Sequence, residues 1–211
     1  MKRHIGALLV SFAGLTLIGL NLSGEHARSS EVRSNDQFWA SFALEALEAE
    51  YFLSLASLAQ SSDLVVVGKV DHLSWGRQLL PGQADGFTYV NLHMIVSKYL
   101  GGRSGATNMV VELMPPAGAS LEALTTTLPE ADQLMFLRNK GEEARSLGLP
   151  ERFAASEDGF FRLANVEQGH FANIEGKVFS PQSAAAKWVR DLAGVSFDDL
   201  ANTVTLLRVD Q

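Results

Sequence analysis

Hydrophobic and polar positions change period several times along this chain, and each change predicts an element. From Asp36, Leu44, Leu47, Tyr51, Leu55 and Leu58 recur at spacings of three and four, the stripe of one helix face. Glu45 and Glu48 fall on the opposite side. Ser54 can serve as an N-cap, so the pattern fits one bent helix or two short ones, ended by Ser61-Ser62-Asp63. Leu64-Val65-Val66-Val67 is then β-branched, apolar and too short for a buried helix, which predicts a strand covered on both faces. Alternation sets in after Gly68 and runs to about Trp75, and a glycine in mid-strand marks a bulge or bend.

The next segment alternates most clearly: Val90, Leu92, Met94 and Val96 against Tyr89, Asn91, His93 and Ser97. This predicts a second strand with one inner and one wet face. Further strands are predicted over 109–114, 133–138, 159–164 and 169–179, the last as a hairpin around Glu175-Gly176. The tail returns to a helical period. Ala184, Trp188 and Leu192 line one side of a segment stopped by Gly194, and Ser196 and Asp199 open another helix, with a strand over 203–207 as the alternative. The predicted fold is mainly β with flanking helices: a small antiparallel OB-like Greek-key barrel over 63–179. Its core is assigned to Val66, Val90, Leu92, Met94, Val96 and Phe136. A helical segment over 37–62 precedes it and C-terminal helices over 180–211 follow.

Composition adds limits. The 211 residues carry 46% hydrophobic and 19% charged residues, which suits one globular domain with short appendages. Seventeen Lys and Arg against 24 Asp and Glu give a net charge of −7, with the basic residues scattered, and this argues against nucleic-acid binding. Met1-Lys2-Arg3-His4 followed by an uncharged apolar run from Ile5 to Leu22 has the layout of a secretory signal. Residues 1–24 are therefore expected to be a signal peptide or a membrane anchor, with Ser23-Gly24 the nearest cleavage site. Residues 25–36 read as a polar spacer. The expected location is periplasmic, cell-surface or secreted, with membrane contact only through the N-terminal segment. There is no cysteine, which removes disulfides, thiolate chemistry and cysteine lipidation.

"SLASLAQSSDLVVVGKVDHLSW", "FTYVNLHMIVSKYLGG", "MVVEL", "LPEADQLMFLR" and "FFRLANVEQGHF" follow one another in an order that resembles a loose group of exported bacterial proteins of unknown function. The order is also similar to the OB-fold domain of tissue inhibitors of metalloproteinases. It covers residues 54–179 and rests on patterning plus Ser62-Asp63, Gly68, Tyr99-Leu100 and Gly101. It implies a barrel. The inhibitors act through an N-terminal cysteine that chelates the protease zinc, and a cysteine-free chain cannot use that mechanism.

Enzyme motifs are absent: no G-x-S-x-G, no H-E-x-x-H and no P-loop. "GGRSG" at 101–105 reads as a turn. Glu142-Glu143 and Glu157-Asp158 fall in expected loops, and Asp198-Asp199 in the first turn of a helix, where negative charge is favourable. Trp75 and Tyr89, at strand ends, are the candidate binding residues, with the loops at 76–88 and 115–131 beside them. The expected function is a non-enzymatic binding or interaction module without a cofactor, possessing an extracytoplasmic protein partner and an inhibitor-like role. The alternative is a small exported metal-dependent enzyme or hydrolase in which His72, His93 and His170 converge.

Overall fold

The computed structural model describes residues 30–42, 50–79, 87–102, 105–116, 118–180 and 186–209. Its strands are β1 (Leu64–Leu79), β2 (Phe87–Gly101), β3 (Asn108–Leu113), β4 (Gln133–Asn139), β5 (Phe160–Leu163), β6 (His170–Ile174) and β7 (Lys177–Phe179). They form one sheet in the order β1-β2-β3-β5-β4-β6-β7, and β1 also pairs with β4. The first five strands therefore close into the predicted barrel, and β6–β7 continues beside β4 outside it. One pairing departs from the antiparallel expectation. β3 and β5 run parallel through Val110↔Phe160 and Val111↔Phe161, so the barrel is mixed. β6 and β7 turn at Glu175 and Gly176, both at positive φ (53° and 77°), the conformation a two-residue hairpin of right-handed twist requires.

Closure at β1 follows from its two-faced apolar run. Leu64, Val66 and Val70 point into the barrel, while Val65 and Val67 point out into a second core. Val90, Leu92, Met94 and Val96 fill the interior as expected. Phe136 does not. It is fully buried but faces the outer core with Leu134, and Met135 and Leu137 face inward instead. A strand apolar on both faces offers no polar position from which to read its inside. The β1–β2 register shifts between Val67 and Gly68, and a Cβ on Gly68 would stand 2.3 Å from the Ile95 carbonyl oxygen. Only glycine allows β2 this close at the bend.

The outer core lies under α2 (Leu55–Ser61), α6 (Lys187–Asp191) and α7 (Phe197–Val209). Ser54 caps α2, its hydroxyl accepting from the Ser57 amide at 3.1 Å, so the helical segment is broken there. Residues 50–54 are not helical. Tyr51 is exposed, and Phe52, off the predicted stripe, is the buried residue. Leu44 and Leu47 lie outside the described residues, as do the leader expected over 1–24 and Ala184. Ser196 caps α7, which stays helical through Val209 rather than turning to strand.

The helix expected from Asp36 is present but begins earlier, inside the expected spacer. Residues 30–42 form α1, and Val32, Asn35, Phe38, Trp39 and Phe42 lie along one side at helical spacing. Phe38, Trp39 and Phe42 enter the barrel's interior cluster, each at most 2% exposed. Burying a side chain of this size contributes about 1.5–3 kcal/mol, so an N-terminal helix completes the barrel core. Among the described residues, no helix is long and apolar enough to cross a membrane.

Candidate functional site

A helical hairpin that connects β4 to β5 packs on those two strands and reaches the outer face of β1–β2–β3 at Arg77, Tyr89 and Glu112. It comprises α4 (Lys140–Ser146) and α5 (Glu151–Glu157), so both carboxylate pairs expected in loops here belong to a folded element. Asn139 starts α4, its side-chain oxygen accepting from the Glu142 amide at 2.9 Å. Arg145 ties the two helices together by donating to Glu142, Glu151 and Asp158.

Arg77 docks this hairpin on the barrel. Its Nε donates to Glu112 Oε1 at 2.9 Å and its Nη2 to Glu112 Oε2 at 2.6 Å. Nη2 also donates to Glu157 Oε2 at 2.9 Å, and Nη1 to the other Glu157 oxygen. Lys140 Nζ reaches Glu112 Oε2 at 2.6 Å. The guanidinium lies 4.0 Å over the Phe160 ring and the ammonium 4.1 Å over the Tyr89 ring. Glu112 has no exposed side-chain surface. Burial alone would raise its pKa, but the hydrogen bonds from Arg77 and Lys140 prevail and hold it below the ordinary carboxylate value. The hydrogen bonds that Arg77 donates to Glu157 and then to Glu112 likewise raise its own pKa. Glu143 is held low first by Arg162, which grips it with two bonds of 2.8 and 2.6 Å.

Between the hairpin and the β1–β2 ribbon runs a groove of about 340 Å³ with Arg77, Tyr89, Lys140 and Glu157 in its lining. Leu147, Leu149 and Phe153 line it from the helices and stand 72%, 43% and 47% exposed. Tyr89, one of the two residues singled out from sequence, is part of this wall. Trp75 is 47% exposed but does not line it. The loop expected at 115–131 holds α3 (Leu121–Thr125), whose Leu124 is buried in the barrel cluster. Residues 80–86 of the other loop lie outside the described residues, and 76–79 belong to β1.

A second polar cluster lies further back on the same two strands. His72 and His93 are cross-strand partners with rings stacked at 4.1 Å and 8°. His72 Nδ1 lies 2.8 Å from Asp71 Oδ2, and His93 Nε2 lies 2.8 Å from Ser74 Oγ. Burial, then the neighbouring His72, lowers the pKa of His93. His170 does not join them. It is buried on β6 and stacked on Trp39 of α1 at 4.0 Å, and burial pushes its pKa down to about 3. Among the described residues, no three His, Asp or Glu side chains gather as a metal ligand set.

No family model, curated protein or solved structure matches this chain. The resemblance drawn from patterning therefore extends to a closed five-stranded barrel and no further. Sequence reasoning missed Arg77, Glu112, Lys140 and Glu157 as a group. Weak signals existed: Glu112 within "MVVELM", Asn139 three residues before Glu142, and Gly148-Leu149-Pro150 before a helical run. None points to the others, because they come from four elements.

Proposed function

We propose that this chain is an exported interaction module, acting without catalysis, that receives an apolar segment of an extracytoplasmic protein in the groove beside α4–α5. One observation carries this reading: three large apolar side chains stand exposed along a concave wall whose floor is braced by ion pairs. Exposed apolar surface in a rigid concavity is characteristic of recognition sites. OB-like barrels also bind ligands on the β2–β3 face and the flanking connections after β1 and β4, and α4–α5 is the latter connection. The leader-like pattern over residues 1–24 supports export. An inhibitor-like role, with a protease as partner, fits the likeness to metalloproteinase inhibitors only as a shared barrel, since the cysteine they need is missing.

The test is affinity capture from the organism's own envelope fraction. Wild type and Trp75→Ala should retain a discrete partner, Tyr89→Ala should weaken its capture, and Leu147→Glu with Phe153→Glu should lose it. Capture undiminished in the double variant would overturn the groove. Fractionation with N-terminal sequencing checks export, and cytoplasmic protein with Met1 intact and no membrane association would sink it.

A further inference from the structure

We propose that His72 and His93 form a two-imidazole site for a borderline divalent transition ion, zinc or copper(II). The inference stands apart from the groove and from the three-histidine site that the position of His170 denies. The two residues are direct cross-strand partners on β1 and β2, so their side chains leave neighbouring backbones on the same face. Each ring has one nitrogen committed to a polar neighbour. A carboxylate only accepts, so the 2.8 Å contact with Asp71 places the His72 proton on Nδ1 and leaves Nε2 with a lone pair. The 2.8 Å contact between Ser74 Oγ and His93 Nε2 engages the other nitrogen type on the second ring, and in the tautomer whose Nε2–H donates to the serine oxygen, Nδ1 carries the lone pair for an ion. Imidazole oriented by a carboxylate or other polar group on its far nitrogen is the usual outer-shell arrangement of metal-binding histidine. Imidazole nitrogen is also the donor that zinc and copper(II) favour.

The stacked rings present their lone pairs in nearly parallel planes, so chelation requires one ring to turn. His72 and Asp71, with 57% and 51% of their side chains exposed, have room to turn together, which keeps the Nδ1–Asp71 bond. The pair borders a hollow of about 360 Å³, which leaves room for water to complete the coordination shell.

Tag-free protein titrated calorimetrically with zinc chloride, and separately with copper(II) chloride, tests the site. Wild type should take up one saturable equivalent of each ion. His72→Ala and His93→Ala should each abolish it, and His93→Gln provides a second variant of similar size, with circular dichroism checking that each is folded. Asp71→Asn should weaken binding about tenfold or more, the usual cost of losing an orienting partner. His26→Ala, altering a histidine near the N-terminus, should change nothing. No saturable uptake by wild type, uptake surviving either His72→Ala or His93→Ala, or uptake lost in His26→Ala would overturn the proposal. Unchanged affinity in Asp71→Asn would remove the orienting role given to Asp71.

Discussion

The outer faces of β1 and β2 carry two polar clusters, and they have been put to opposite uses. At Arg77 the ribbon is roofed by α4–α5, and Glu112 is wholly excluded from solvent between two cations. At His72 and His93 nothing roofs it among the described residues, and Asp71 remains half exposed. The strands are the same, so the difference comes from what lies over them. Under a roof, a carboxylate must keep its cation or bear an unpaired buried charge, which makes the cluster a fastening. In the open, water replaces any lost partner at little cost, which leaves the cluster free for a ligand.

That contrast can be broken at three levels. The largest effect belongs to the inner face beneath both clusters. Leu92→Asp places an unpaired charge in the barrel core and should cost about 3–5 kcal/mol. An unchanged thermal midpoint would mean the assigned interior is wrong.

Arg77→Met comes next. It leaves Glu157 without its guanidinium and Glu112 with Lys140 alone. Because Arg77 is 37% exposed, water softens the loss, and about 2 kcal/mol is expected from chemical denaturation. The same fastening has an acid signature. Glu112 and Glu143 have folded pKa values below their ordinary 4.5, so they contribute stability above pH 4.5 that is lost as pH falls through the folded values. Glu112→Gln should flatten that decline. A decline as steep as in wild type would show that Glu112 does not carry it.

The smallest effect is expected at the open cluster. His72→Ala with His93→Ala should shift stability by no more than about 0.5 kcal/mol in the absence of metal. A loss as large as that of Arg77→Met would make the histidines structural and erase the contrast.

The strand pattern was legible wherever one face was wet. Alternation from Val90 to Val96 identified the interior of β2, and the apolar run at Leu64–Val67 correctly implied cover on both faces. Legibility failed for Phe136, whose strand is buried on both sides, and for the start of α1 and its aromatic stripe, which is set among charged and polar neighbours. The candidate site was visible only as Tyr89. Arg77, Glu112, Lys140 and Glu157 lie on β1, β3, α4 and α5, and only the fold brings them within hydrogen-bond reach. The succession of strands along the chain, the bend at Gly68 and the caps at Ser54 and Ser196 follow from local sequence, because hydrophobic period and capping act over a few residues. The tertiary structure alone decided that β3 and β5 run parallel, that α1 fills the barrel, and which polar cluster is roofed. Those outcomes depend on contacts between segments far apart in the chain, and a periodicity carries no information about what will lie on top of it.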